Sequence, residues 1–146
     1  PTNASRQRGY RAAMSEAGLE LDPARIVPGE NTMRSGQEAA MVLLSRLPMP
    51  TAIFCANDEM AIGAITVCKQ KGLRVPEDVS IVGFDDVEIA EFYDPPLTTV
   101  RQPRRELGRR AMIELMALLD DERVETGRNI ILPHTLIVRG STAGVS

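Results

Sequence analysis

Two short apolar runs in this chain each end abruptly on polar side chains, and this pattern restricts the possible fold most strongly. The first run covers 51–55 and is followed by Asn57, and the second covers 80–84 and is followed by Asp85. Such runs are typical of buried strands in a parallel sheet, and open α/β sheets bind their ligands at the carboxyl ends of those strands. The pattern therefore predicts an α/β fold with a ligand crevice at that edge.

Helical patterns alternate with these runs along the chain. Apolar residues recur at helical spacing before Gly18 and Gly72, two glycines that act as stop signals, and Pro103 suits the first turn of a later helix. Strands that alternate with helices predict parallel sheets flanked by helices. The other predicted elements are a helix around 40–47, a helix over 103–119, and extended segments over 25–28, 97–100 and 130–138.

Composition and charge limit the classes of protein that this chain can belong to. With 146 residues, 43% of them hydrophobic and 25% charged, it is long enough for one domain with a sizeable core. A net charge of −3 predicts no nucleic-acid surface, and no apolar run approaches the roughly 20 residues that span a membrane. The first residues resemble neither an initiator methionine nor a signal peptide, so we expect Pro1 to be an internal position of a longer protein.

The two cysteines, Cys55 and Cys68, lie in a predicted strand and on a predicted helix face. They form no C-x-x-C pair, and no histidine lies near them in the sequence. We therefore expect both to be small apolar core residues rather than metal ligands or redox centres.

Three runs carry a family resemblance: 52–63 (AIFCANDEMAIG), 80–86 (SIVGFDD) and 94–103 (DPPLTTVRQP). Together they resemble the effector-binding domain of the lac and gal repressor family (LacI/GalR) of bacterial transcription regulators. The resemblance implies a periplasmic-binding-protein-like α/β fold. Its two lobes are parallel sheets flanked by helices, and the chain crosses between them three times.

The resemblance also implies how the chain divides. Residues 1–98 are similar to the C-terminal lobe without its first strand, 99–137 to the returning part of the N-terminal lobe, and 138–146 to the final crossing and tail. The helix over 103–119 carries an apolar stripe wide enough to need a sheet beneath it, and this chain supplies little of that sheet.

For a member of this family, the implied function is the sensing of a small polar effector, either a nucleoside or a sugar. The effector binds between the lobes and changes the DNA affinity of a helix-turn-helix headpiece, which would lie outside this sequence. The resemblance further implies a cytoplasmic homodimeric regulator, most simply a repressor, that contacts DNA only through that headpiece. We expect no membrane contact, no cofactor, no metal and no enzymatic activity.

Two candidate ligand contacts follow from the strand ends. The Asp85 carboxylate can accept hydrogen bonds from two neighbouring hydroxyls, as in a sugar or a ribose, and it matches the effector-binding aspartate of the family motif V-G-[FY]-D. Asn57, at the equivalent edge of the preceding strand, can both donate and accept. Each residue could instead cap the helix that follows it, and for Asn57 both roles are compatible.

Four further ligand contacts are implied by the resemblance alone. Arg6 lies three residues before Gly9, as the effector-binding arginine of the family does, and Thr2 matches a polar contact just upstream. Asn31 takes a position that is often aromatic in the family, so an amide replaces a stacking surface there. Gln102, in the crossing segment, is expected on the hinge side of the cleft.

A dimer surface is also implied by the resemblance. It comprises the exposed side of the helix predicted over 57–71 together with the loop over 88–94. The residues expected in this surface are Ile62, Thr66 and Tyr93.

Two other functions remain open from the sequence. A periplasmic sugar-binding protein has the same two-lobed plan. A magnesium-dependent phosphoryl-transfer enzyme could use Asp58, Asp85 and Asp86, which all follow predicted strands, although no phosphate-binding glycine loop or nucleophile motif accompanies them. Otherwise we expect Asp58 and Asp86 to have structural roles.

The arginines between 101 and 110 could form a nucleic-acid surface, and the single histidine, His134, could be a catalytic base. Glu106 lies within helical reach of several of these arginines and no aromatic residues are interleaved with them, which favours a solvated helix face over a nucleic-acid surface. His134 has no serine or cysteine partner in a recognisable motif, so a position in a strand or turn is predicted.

Overall fold

The computed structural model describes residues 2–119 and 129–144 of the chain. The segment 25–28 was predicted as extended, but Arg25 ends a 3-10 turn over Pro23–Arg25, and 26–28 belong to no strand. The alternation of helices and strands confirms the predicted α/β fold class. The elements within the described ranges are α1 (Thr2–Glu16), α2 (Met33–Leu44), β1 (Ala52–Phe54), α3 (Asp58–Gln70), β2 (Ser80–Val82), α4 (Ile89–Phe92), β3 (Thr99–Arg101), α5 (Arg104–Leu119) and β4 (Thr135–Ile137).

The strands bring three chain segments to one edge. β1 and β2 pair in parallel, and the chain around β3 lies parallel to the end of β2, with Asp85 bridged to Arg101. β4 differs from the prediction of a wholly parallel arrangement, because it runs antiparallel to β3 with Leu136 opposite Val100. The strand predicted over 130–138 is shorter in the structure, where β4 covers only Thr135–Ile137.

Helix α3 lies at the centre of the core and packs against α2 and β2. Its close approach to α2 requires glycine on both helices. A Cβ atom on Gly36 would collide with the Met60 carbonyl, and one on Gly63 would collide with the Met33 carbonyl. This contact fixes the N-terminal end of α3, where Asn57 is the cap residue.

Both cysteines are buried, as the sequence predicted. Burial raises the pKa of Cys55 to about 12 and also raises the pKa of Cys68. A thiol with a raised pKa stays protonated near neutral pH and is a poor nucleophile or metal ligand. The two side chains therefore contribute packing to the core.

Helix α5 has no buried residue. Its exposed apolar side chains agree with the prediction that this helix needs a sheet beneath it. Neither α5 nor any other helix in the described part of the chain combines the length and apolar character required to span a membrane. The large apolar residues exposed on α5 are Leu107, Met112, Ile113, Leu115, Met116, Leu118 and Leu119.

Candidate ligand-binding site

Asp85 lies just beyond β2, at the carboxyl edge of the sheet. Its backbone N–H donates to the Val100 carbonyl (3.0 Å), so the neighbouring extended chain fixes its position. Asp85 and Asp86 have φ angles of 115° and 53°, in the left-handed region that non-glycine residues rarely adopt. Such residues persist only where their surroundings hold them, and they cluster at functional sites.

The Arg6 guanidinium extends from α1 to this edge and joins the ends of both parallel strands. Nη2 donates to Asp85 Oδ1 at 3.1 Å, and Nη1 donates to the carbonyl of Ala56, which follows β1. The guanidinium carbon lies 3.9 Å from the centre of the Phe84 ring, within range of a cation–π interaction. These contacts leave only 13% of the Arg6 side chain exposed, unlike an ordinary solvated arginine.

Gln102 completes the cluster from the segment after β3. Its Nε2 donates to Asp85 Oδ1 at 2.5 Å, so Asp85, Arg6 and Gln102 meet at one oxygen. The Asp85 side chain keeps 27% of its surface exposed, which leaves it accessible to a ligand. We refer to Arg6, Phe84, Asp85 and Gln102 as the Asp85 cluster.

Asn57 has the capping role that the sequence offered as one alternative. Its Oδ1 accepts a 2.9 Å hydrogen bond from the Met60 N–H in the first turn of α3. Its Nδ2 donates to the Asn31 carbonyl at 2.9 Å, so these two predicted ligand contacts lie side by side. Thr2 belongs to the first turn of α1, but its side chain lies outside the described residues.

Asp58 is a buried carboxylate with one hydrogen-bond partner in β3 and one in the loop before α4. The Thr99 hydroxyl donates to Oδ1 at 2.5 Å, and the Val87 N–H donates to Oδ2 at 2.8 Å. Burial raises the pKa of Asp58, although both hydrogen bonds act to lower it. These contacts agree with the structural role expected for this residue.

Asp86 is paired with two arginines. Arg101 Nε donates to Oδ2 at 2.5 Å, and Arg139 Nη2 lies 2.8 Å from Oδ1. Burial alone would raise the pKa of Asp86, but the two guanidinium groups outweigh it and lower that pKa below its ordinary value. Among residues 2–119 and 129–144, no three acidic, histidine or cysteine side chains form a group that could hold a metal ion.

Phe84, Thr99 and Arg139 take part in these contacts and were not among the predicted functional residues. Phe84 precedes Asp85 in the V-G-F-D motif, so the motif could have predicted that Phe84 lies in the candidate site. Thr99 and Arg139 reach their aspartates from distant parts of the chain, and no local pattern around them indicates that role.

The residues expected in a dimer surface lie partly in the core. Ile62 is 2% exposed, so its predicted place on an exposed helix face is wrong, because α3 is a central helix that is buried along most of its length. Thr66 Oγ1 and Tyr93 Oη share a hydrogen bond of 3.1 Å. Next to Tyr93, α4 exposes the side chains of Ile89 and Phe92.

Two arginines of α5 form local ion pairs, and a third contacts the loop that carries Asp86. Arg109 and Arg110 both contact Glu106, at 2.7 and 3.2 Å, and Arg104 donates to the Asp86 carbonyl at 3.0 Å. These contacts agree with the predicted solvated helix face. His134 is exposed in the segment that precedes β4.

Residues 1–142 match the model of the periplasmic binding protein-like domain family. The HTH-type transcriptional repressor CytR of Escherichia coli K12 is 44% identical over 137 residues, which are 94% of this chain and 40% of that protein. The HTH-type transcriptional repressor PurR of Haemophilus influenzae PittEE is 41% identical over 146 residues, 99% of this chain and 44% of that protein. A solved transcriptional regulator CelR–cellobiose complex superposes with a TM-score of 0.90 at 40% identity, covering 94% of this chain and 42% of that one.

These similarities confirm the resemblance to LacI-type regulators and the periplasmic-binding-protein-like fold predicted from the sequence. The chain spans about two fifths of the length of these curated relatives. The cellobiose in the solved complex belongs to that regulator.

Proposed function

Because this chain belongs to the periplasmic binding protein-like domain family, we propose that it is the effector-sensing part of a bacterial transcription regulator. The observation that carries the proposal is the Asp85 cluster, in which side chains from two distant segments converge on the Asp85 carboxylate at the carboxyl edge of the sheet. Ligands of open α/β proteins bind at such edges. The exposed part of Asp85 is the proposed anchor for the effector.

The chemistry of the Asp85 cluster suits a small ligand that carries several hydroxyl groups. The Asp85 carboxylate accepts hydrogen bonds from hydroxyls, the Arg6 guanidinium donates to oxygen atoms, and the Gln102 amide does both. A sugar offers this combination, as does the ribose of a nucleoside. The proposed effector class is therefore a nucleoside or a sugar.

The ligand lies, in this proposal, between a C-terminal lobe formed by 1–98 and a returning part of the N-terminal lobe formed by 99–137, with the final crossing at 138–146. A ligand that contacts both Asp85 and Gln102 favours one relative orientation of the lobes, to the extent that it binds that orientation more tightly. A cavity of about 1110 Å³ between α1, α2 and β1 supports this division, because it provides room beside β1 for the first strand of the lobe.

The output of this proposed sensor is a change in DNA affinity, exerted in the cytoplasm through a helix-turn-helix headpiece outside this chain. The net charge of −3 and the Glu106 pairs of the α5 arginines support a segment that senses rather than contacts DNA. A periplasmic sugar-binding protein would use the same cluster without any DNA. Sequencing the coding region upstream separates the two: a helix-turn-helix pattern supports the regulator, and a secretion signal without that pattern contradicts it.

The proposed homodimer uses α4 and the residue that follows it. Ile89 and Phe92 expose apolar surface there, and Tyr93 is held in place by its hydrogen bond with Thr66. An apolar centre with charged neighbours is a common arrangement at protein interfaces. Lys69 and Asp94, which pair at 2.7 Å, supply that charged rim beside the apolar residues.

Calorimetric titration of the chain with cytidine and with cellobiose tests the ligand class. We expect saturable single-site binding of one compound and much weaker binding of the other. The matched control is Asp94→Asn, which neutralises an exposed carboxylate outside the Asp85 cluster and should bind as the wild type does. Absence of saturable binding for both compounds would contradict the expectation that one of the two is the effector.

A further inference from the structure

Asp86 contacts two segments that extend away from the sheet edge. Its carboxylate pairs with Arg101 at the end of β3 and with Arg139 just after β4, at 2.5 and 2.8 Å. Its carbonyl accepts a 3.0 Å hydrogen bond from Arg104 at the start of α5. One residue therefore ties the end of β3, the start of α5 and the chain after β4 to the loop that carries Asp85.

The pair between Asp86 and Arg139 is nearly buried, with 8% and 12% of the two side chains exposed. Arg139 has two further fixed contacts, because Nη1 donates to the Leu97 carbonyl and the backbone N–H donates to Thr98 Oγ1, both at 2.9 Å. Exposed ion pairs rearrange at little cost, whereas a buried pair with fixed partners does not. A displacement of Asp86 is therefore passed on to 97–98 and to Arg139.

Asp85 and Asp86 form one dipeptide in which both residues have positive φ angles. Non-glycine residues keep this conformation only when the surrounding structure holds them. Arg6 and Gln102 hold Asp85 on one side, and the arginine pairs hold Asp86 on the other. A change of partners on either side consequently acts on the same strained dipeptide.

We propose that Asp86 is a positioning residue that couples the Asp85 cluster to the chain segments 97–104 and 135–141. This proposal rests on the proposed function. The role of Asp86 is to convert ligand binding at Asp85 into movement of the segments that cross between the lobes. A ligand that alters how Arg6 and Gln102 hold Asp85 shifts Asp86, and Asp86 shifts Arg139.

Hydrogen–deuterium exchange measured by mass spectrometry tests this coupling without any ligand. Arg6→Gln removes the guanidinium from Asp85 and is expected to speed amide exchange in 135–141 by about threefold or more, through local opening. In an Asp86→Asn background the same change should alter that exchange by less than about 1.5-fold, because coupled residues give non-additive effects. A purely structural Asp86 would raise the exchange but leave the effect of Arg6→Gln intact.

A second variant and a control complete the test. Arg139→Gln breaks the same pair from the other side and should also abolish the effect of Arg6→Gln, so it decides the question if Asp86→Asn does not fold. Glu106→Gln breaks an exposed pair on α5 and should preserve that effect.

The coupling is overturned by either of two outcomes. One is that Arg6→Gln leaves exchange in 135–141 unchanged in the wild type. The other is that its effect persists in the Asp86→Asn background or, where that variant does not fold, in the Arg139→Gln background. Failure of the proposed function would appear instead as absent ligand binding in calorimetry, a measurement that is independent of these exchange rates.

Discussion

The Thr99 hydroxyl donates a 2.5 Å hydrogen bond to Asp58 Oδ1 and thereby joins the start of α3 to β3. The second carboxylate oxygen accepts a 2.8 Å hydrogen bond from the Val87 N–H, just beyond the strained dipeptide. A Cβ atom on Gly83 would collide with Asp58 Oδ1, so the chain after β2 passes directly over this carboxylate. Asp58 therefore fixes the loop that carries the candidate ligand contact.

Replacing Asp58 with alanine would leave the Val87 N–H and the Thr99 hydroxyl without an acceptor in a buried place. We expect the free energy of unfolding to fall by about 2–4 kcal/mol, because each buried donor without a partner costs roughly 1–3 kcal/mol. Asp58→Asn keeps an oxygen for Val87 and an amide that can donate to the Thr99 oxygen, so a loss of about 1 kcal/mol or less is expected. Urea unfolding followed by circular dichroism measures both, and equal losses in the two variants would refute this role.

The raised pKa of Asp58 makes stability depend on pH in a defined direction. The folded state holds the Asp58 proton more tightly than the unfolded chain, in which an aspartate titrates near the ordinary value of 3.8. The Asp58 contribution to stability is thus fully present below pH 3.8 and declines as the pH rises through the raised folded pKa. The unfolding free energy of the wild type minus that of Asp58→Asn should therefore decrease as the pH rises above 3.8. A difference that is constant or increases over this range would show that the pKa of Asp58 is not raised.

The contact between α2 and α3 should not tolerate larger residues at its two glycines. Gly36→Ala and Gly63→Ala are each expected to lower the unfolding free energy by about 2–3 kcal/mol, since the added methyl group meets backbone atoms that cannot move aside. Gly9→Ala is the matched control, because its Cβ would meet no atom within 4 Å on α1, and it should stabilise the helix by roughly 0.5–1 kcal/mol. Thermal unfolding measures all three. Melting temperatures for Gly36→Ala and Gly63→Ala that match the wild type would contradict the close packing.

The proposed dimer surface is tested at Phe92, because a charge at the buried Ile62 would disrupt the core. Phe92→Glu places a carboxylate at the centre of the exposed apolar surface of α4 and should convert dimers to monomers in sedimentation velocity. Leu47→Glu changes another exposed apolar residue, outside that surface and more exposed than Phe92, and should leave the dimer intact. Dimers that persist in Phe92→Glu would remove α4 from the interface.

Local signals in the sequence were sufficient to predict the elements around the site. Asn57 before a helical pattern and Gly72 after it predicted both ends of α3, because caps act on the adjacent turn. In the structure Asn57 caps the helix, and Gly72 has a φ of 72°. The polar residues after two apolar runs likewise predicted which sheet edge carries the candidate site.

Contacts between distant residues could not be predicted in the same way. Nothing near Arg139 indicates a pair with Asp86, because that pair depends on how the chain returns beside β3. Ile62 was misplaced for a related reason. Helical spacing shows which residues share a face of α3, but it does not show that neighbouring elements cover that helix along most of its length.

The proposed function depends on the Asp85 carboxylate as the anchor for a small hydroxyl-bearing ligand. Calorimetric titration of wild type and Asp85→Asn with cytidine and cellobiose measures this role. Asparagine tolerates a positive φ and keeps the shape of the side chain, so the variant should fold. We predict that its affinity for the compound that binds the wild type falls by about 10- to 100-fold, since hydrogen bonds to charged groups contribute roughly 1.5–3 kcal/mol. An unchanged affinity in a folded Asp85→Asn protein would show that Asp85 is not the anchor and would place the ligand elsewhere.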